Sequence, residues 1–516
     1  MSAPRRPNQA MREDRAEPGP LAALSRWVEG LARIKSGGVR DDGFRRALLI
    51  VAALTLVRVI VLVVSPLQFY PDEAQYWWWA QTPDWGYFSK PPMIAWVIWL
   101  TTHLFGQSEW AARLASPLLH GATALLVYGI GRRCFDERTG FWSAVAYATL
   151  PGVSYSSGLI STDVPLLFFW AAGLYAFLRA MARPGWTWAI VCGGALGLGF
   201  ETKYAMAYFF LCAGLAAFAS TDARRLVLSL RGLVIVALAL LLLMPNAAWN
   251  AAHGFPTVAH TGHNADWSHA RYNAVSVLGF LGGQFGVFGP LMMAGLILAL
   301  WRLKTGKARL LACFSLPVIA LIAVQSFISE ANANWAAVAY VAATPLAVAA
   351  LLWLWRGRML WASLAFDGLA MAVLWAILVS PAFADRIGQG NAFKRQEGWR
   401  ELGAAVHRYG TDYPVIVAAN RSVFAELLAY GGFGRERWRM WDKDTHDDDH
   451  FQMTMRLTPP APHVLLLLTP DETGQVLPTF DSATRVATVV IPVGGHRTRT
   501  TLMFDAHGYR GPQPLR

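Results

Sequence analysis

The sequence predicts an α-helical polytopic membrane protein of about eleven transmembrane helices, ending in a small α/β domain. Three observations lead to that class. Of 516 residues, 55% are hydrophobic and only 15% are charged, whereas about a quarter of a soluble globular chain is charged. The apolar excess is confined to residues 46–380, while 1–45 and 385–516 keep ordinary polar composition. Basic residues are concentrated in alternate loops between the apolar blocks.

Residues 1–45 read as a cytoplasmic tail. Within it Leu21, Leu24, Trp27, Val28, Leu31 and Ile34 recur at helical spacing, which suggests a helix lying on the inner membrane face, with a loosely ordered tail as the plainer alternative. No early apolar core or small-residue cleavage site precedes Arg46, so the first span is expected to act as an uncleaved anchor. Runs long enough to cross roughly 30 Å of hydrocarbon fall near 46–66, 110–131, 139–157, 163–181, 186–200, 203–219, 227–248, 275–301, 309–328, 335–355 and 358–380. The fifth and sixth are short, consistent with tilted or partly re-entrant segments. The long loop 67–109 holds Trp77, Trp78, Trp79, Trp85, Tyr87, Trp96 and Trp99. Amphipathic rings favour the membrane interface, so one or two short helices along the surface are expected there.

Loop charges orient the chain. One set of alternate loops carries Arg132, Arg133, Arg138, Arg179, Arg183, Arg224, Arg225, Arg231, Arg302, Lys304, Lys307, Arg309, Arg356 and Arg358; the other carries Lys90, Lys203 and Arg271. The first set belongs in the cytoplasm by the positive-inside rule. An odd number of spans then places the C-terminal domain, residues 385–516, outside the cytoplasm. These loops account for the net charge of +12 better than nucleic-acid binding does. In the tail, 399–408 reads as helix, and 414–419, 463–468 and 485–493 read as strands. None of the four cysteines, Cys134, Cys192, Cys212 and Cys313, lies in this domain, and no zinc or nucleotide motif appears.

The chemistry-bearing residues gather on the outer side. Asp72 and Glu73 follow the first span, where adjacent carboxylates need water, cations or partners to offset desolvation. Asp163 opens the fourth span from the same side. An N-terminal cap ahead of Pro165 is its plainer role. Lys90 and Lys203 stand on a face nearly free of basic residues, with Arg271 in support. Such lysines either snorkel or hold the phosphate of a membrane lipid. A base beside cations suits group transfer from a lipid phosphate: the base takes a proton from the incoming hydroxyl, and the cations stabilise the departing phosphate. His260, His263, Asp266 and His269, and in the tail His446, Asp447, Asp448, Asp449 and His450, match no tight metal motif. They leave a divalent cation open as an accessory and establish no cofactor.

At Pro71-Asp72-Glu73, Tyr87-Phe88-Ser89-Lys90-Pro91-Pro92, Thr162-Asp163-Val164-Pro165-Leu166 and Asn334-Trp335 the chain resembles the family 39-type glycosyltransferases. These include protein O-mannosyltransferases, aminoarabinose transferases and rhizobial-type lipopolysaccharide galacturonosyltransferases. The resemblance covers residues 46–380 and implies a C-type glycosyltransferase fold using a polyprenyl-phosphate-linked sugar. It implies Asp72 as catalytic base and Asp163 as the second acid, with Glu73 positioning the acceptor or binding a cation. Lys90, Lys203 and Tyr87 become substrate contacts, assisted by Arg271. The expected acceptor is a bacterial glycolipid, lipid A or lipopolysaccharide core. A flippase for lipid-linked sugar and a protein O-glycosyltransferase are the alternatives.

Overall fold

The computed structural model describes residues 42–267, 270–461, 463–495 and 497–512. The helix expected on 21–34 lies outside the described residues.

The first span is helix α1 (Asp42–Val64). Its Leu49, Leu56 and Ile60 point outward, more than half exposed. So much uncovered apolar surface suits lipid and not water. Two helices follow in the aromatic loop, α2 (Pro71–Gln81) and α3 (Met93–Phe105). Then come α4 (Glu109–Cys134, with a short break near Leu114), α5 (Glu137–Thr149) and α6 (Asp163–Ala182). They are followed by α7 (Thr187–Phe200), α8 (Tyr204–Ala219, its first turn a 3₁₀ turn), α9 (Leu230–Ala252) and α10 (Pro256–Ala265). The remaining apolar helices are α11 (Ala274–Phe288), α12 (Pro290–Arg302), α13 (Gly306–Ile328), α14 (Ala339–Trp353) and α15 (Arg358–Val379).

Six of these, α1, α4, α6, α9, α13 and α15, are long and apolar enough to cross a membrane alone. Five expected spans differ from a single long helix. The stretch 139–157 is one of them: α5 stops at Thr149, and a separate short helix, Pro151–Ser156, follows Leu150. α3, α7, α8 and α14 are shorter apolar helices, and three of them stand where spans 186–200, 203–219 and 335–355 are expected. The stretch 275–301 is not one span: α11 and α12 meet at 105°. Gly289 makes the bend at φ +86°, and Pro290 starts the second helix. A left-handed backbone next to a proline ends one helix and pre-sets the next. Close packing elsewhere depends on small residues. A Cβ on Gly193 of α7 would sit 2.8 Å from the Ile235 carbonyl of α9, so the two backbones approach as only glycine permits.

The tail adds α16 (Trp399–Gly410), β1 (Val415–Ala418), α17 (Arg421–Tyr430), β2 (Trp438–Met440), α18 (His450–Met455), β3 (His463–Leu468), β4 (Phe480–Val493) and β5 (Arg497–Tyr509). The sheet order is β2-β1-β3-β5-β4. β1 runs parallel to β2 and β3, while β5 is antiparallel to β3 and β4. β3 is apolar throughout because both its faces are covered: Leu465 and Leu467 join one core cluster, and Val464, Leu466 and Leu468 join another. The first of these clusters also holds Phe69, Ala74 and Trp79 from the α2 region. Tail and outer loop therefore share one hydrophobic core.

Candidate active site

Adjacent helical residues point about 100° apart, and α2 uses this to separate its two carboxylates. Glu73 turns inward and is 1% exposed. It accepts from Arg113 Nε (2.9 Å) and Nη2 (2.7 Å), from the Ile160 amide (2.8 Å) and from the Tyr70 amide at the start of its own helix (2.9 Å). Arg113 spends its other donors on the Leu67 and Gln68 carbonyls. Burying two charges costs several kcal/mol per ion, offset here by a complete set of hydrogen bonds. Glu73 is thus saturated by protein donors and lines no described cavity. Asp72 turns the other way, into a chamber of about 490 Å³.

The chamber is also lined by Lys90, Asp163, Lys203, His260, Asn334, Trp335, Arg421, Asp448, Asp449 and His450. Asp163 makes no capping bond at the α6 N-terminus. Its carboxylate accepts instead from Lys203 Nζ (2.8 Å) and Asn334 Nδ2 (2.6 Å). Asp72 accepts from Arg421 Nη2 (3.0 Å), and Arg421 Nη1 also holds Gln75 Oε1 (2.7 Å). The two lysines are tied together by backbone: the Met93 amide, freed by the prolines before it, donates to the Glu201 carbonyl (2.8 Å). The Lys90 ammonium makes no hydrogen bond or ion pair among the described residues, although the Lys90 carbonyl accepts from the Tyr87 amide (3.1 Å). Burial first, then the neighbouring Lys203, pushes its amine down to about 8. Burial, with Lys90 nearby, pushes the His260 imidazole down to about 4, so that ring is neutral at pH 7.

A second cavity of about 460 Å³ adjoins the chamber. Tyr208 of α8, Leu321, Ile322, Val324 and Ile328 of α13, and Trp335 give it an apolar wall. Ser89, Lys90, Lys203, Asn264 and Trp335 line both spaces. A polar chamber and an apolar groove thus meet at two ammonium groups.

The structure brings together Asp72, Lys90, Asp163 and Lys203 from the sequence-derived set, but not the other three. Tyr87 is buried outside the chamber, stacked on Trp79 at 4.4 Å with its hydroxyl donating to the Trp79 carbonyl (3.2 Å). Arg271 is exposed and pairs with Glu330 at 2.7 Å. Neither metal-ligating cluster forms a closed set among the described residues, and His269 lies outside them. Asp447 pairs with Arg456 and Asp448 with Lys443, while Asp449 caps α18 through the Phe451 and Gln452 amides. The group of three that converges, within 4.8 Å, is His463, Asp505 and His507 on the tail sheet.

Sequence reasoning missed Arg421. The available signal was its place just after a parallel strand, at the start of a helix, where open α/β sheets bind ligands.

Comparison with known proteins agrees with this architecture. A family described as dolichyl-phosphate-mannose-protein mannosyltransferase matches residues 89–249. The lipid A galacturonosyltransferase RgtD of Rhizobium johnstonii is 39% identical over 396 residues, 74% of this chain and 82% of that protein. The undecaprenyl phosphate-alpha-4-amino-4-deoxy-L-arabinose arabinosyl transferase of Pseudomonas savastanoi is 30% identical over 30% of this chain and 33% of its own length. The crystal structure of ArnT from Cupriavidus metallidurans bound to undecaprenyl phosphate superposes with a TM-score of 0.63 at 17% identity, covering 90% of this chain and 99% of that one. The chain belongs to the family 39-type glycosyltransferases of C-type fold, membrane enzymes that use polyprenyl-phosphate-linked sugars.

Proposed function

We propose that this protein, a multi-pass enzyme of a bacterial inner membrane, moves a monosaccharide from a polyprenyl phosphate to a lipid A or lipopolysaccharide-core acceptor, with inversion. The observation that carries the reading is the junction of apolar groove and acidic chamber at Lys90 and Lys203. The polyprenyl chain lies in the groove, its phosphate meets the lysines, and the sugar projects into the chamber. The acceptor oxygen attacks the anomeric carbon opposite the phosphate while Asp72 takes its proton. The sugar–phosphate bond breaks, and the lysines stabilise the negative charge left on the lipid phosphate.

In this scheme Asp163 holds Lys203 in place, and Arg421 orients Asp72. Glu73 is a positioning residue, since its oxygens are already spent on Arg113 and the backbone. The activities for which the relatives are named support a glycolipid acceptor and a lipid-phosphate donor. The bias of the loop charges supports a cytoplasmic N-terminus and a periplasmic tail beyond residue 385. It also supports about eleven crossings across 46–380, with the shorter helices and the bent pair included.

The test is transfer of labelled sugar from purified polyprenyl-phosphate donor to extracted glycolipid. Asp72→Asn keeps the size of the side chain and removes its charge. Turnover is expected to fall about 10²–10⁴-fold with donor binding retained. Near-normal turnover by a folded Asp72→Asn protein would overturn the assignment of the base.

A further inference from the structure

Two cavities lie on the tail side of the chamber, away from the apolar groove. The nearer, of about 280 Å³, is walled by Trp78, Trp79, Tyr87 and Trp249. The outer one, of about 460 Å³, is an open groove bearing Arg435, Arg439 and Arg456, three cations against the one acid Glu436. The spaces adjoin. Arg435 and Thr454 line both of them, and His450 lines both the aromatic pocket and the chamber that holds Asp72.

The charges differ in availability. Arg456 is held by Asp442 at 2.8 Å and Asp447 at 2.6 Å. Arg439 donates to the Glu436 and Trp438 carbonyls and makes no ion pair among the described residues. Arg435 is exposed and makes no ion pair among the described residues; its guanidinium lies 5.8 Å over the Trp78 ring. At the inner end, His450 Nδ1 is buried with no hydrogen-bond partner among the described residues. A buried ring nitrogen left unmatched costs free energy unless a ligand satisfies it.

We propose that this adjoining groove and pocket form the acceptor channel, and that it takes an anionic saccharide. Arg435 and Arg439 meet a phosphate or carboxylate group, the indole rings pack against the sugar, and His450 receives a hydroxyl at the entrance to the chamber. The inference rests on the transferase reading and adds to it the acceptor's charge and its route. It also separates the two substrates: the donor enters past Lys90 and Lys203, the acceptor past Arg435 and His450.

Binding tests it without donor. Lipid-free oligosaccharides carrying a phosphate, a uronic acid or neither are titrated into the purified full-length protein. The anionic ones are expected to bind more tightly, and whichever anion binds better identifies the headgroup chemistry. Arg435→Ala should weaken that binding about ten- to a hundredfold, and Arg435→Glu further. Arg485→Glu, the same charge change on exposed β4, should leave it unaltered. In the transfer assay Arg435→Ala should raise the acceptor KM and spare the donor KM. Equal binding of neutral and anionic saccharides, or unchanged binding by both folded Arg435 variants, would overturn the channel. Failure of wild-type protein to transfer sugar to any glycolipid would instead count against the transferase reading, and the binding result would still decide the channel.

Discussion

Asp72 and Glu73 are neighbours in sequence with opposite environments. Glu73 has four donors within 2.9 Å, whereas the Asp72 side chain is 47% exposed in the chamber and touches one guanidinium. A pair as open as Asp72–Arg421 contributes little stability, so its use is orientation. Lys90 carries the clearest pH consequence. Its amine titrates near 8, below the free-lysine value, and only the ammonium holds phosphate strongly. Donor affinity should therefore be fullest below pH 8 and weaken as pH rises through that value. Donor binding measured from pH 6.5 to 9.5 checks this. Lys90→Arg, whose guanidinium stays protonated, should flatten the profile. Lys90→Ala should weaken binding about ten- to a hundredfold at pH 7. A wild-type profile flat across the range would remove Lys90 from the phosphate site.

At the scale of elements, the buried Glu73–Arg113 pair joins α2, α4 and the Ile160 turn that leads into α6. Those are the elements that carry Asp72 and Asp163. Breaking the pair leaves a buried charge without its counter-ion, which typically costs about 3–5 kcal/mol. Glu73→Gln should lower the thermal midpoint of the solubilised protein far more than Asp72→Asn does. If the Glu73→Gln protein were inactive but as heat-stable as wild type, Glu73 would act in the chemistry and not in holding α2. The bend at Gly289 belongs to this scale as well. Hydropathy reads 275–301 as one long apolar run, because α11 and α12 are equally apolar; the turn between them is set by one backbone angle.

For the whole molecule, the tail is part of the active-site wall. Arg421, Asp448, Asp449 and His450 reach the chamber from it, and its α17 packs into the same core as α2. The proposed outward orientation has a direct check. A reporter active only outside the cytoplasm, fused after Asp385, should be active, and the same reporter fused after Arg133 should be silent. Reversed activities would turn the whole arrangement over and place the chamber on the wrong side for a periplasmic acceptor.

Composition and local pattern were enough to determine a helical membrane protein with an α/β tail, the starts of most apolar helices, three of the tail's strands and four of the residues that meet in the chamber. These features depend on near neighbours in the chain: apolar run length, alternation, prolines at helix starts, and carboxylates or lysines at helix ends. The strands β2 and β5 were missed because one is three residues long and the other is rich in threonine and arginine, so neither has a clear apolar run. Tertiary structure alone decided that Glu73 faces inward, that Tyr87 and Arg271 stand away from the chamber, and that Arg421, 349 positions from Asp72, is its partner. Hydrophobic pattern says that a residue is at a helix end; it does not say which distant side chain is packed against that end. That depends on how α17 seats on α2, a contact made by burying a shared core that neither segment could complete by itself.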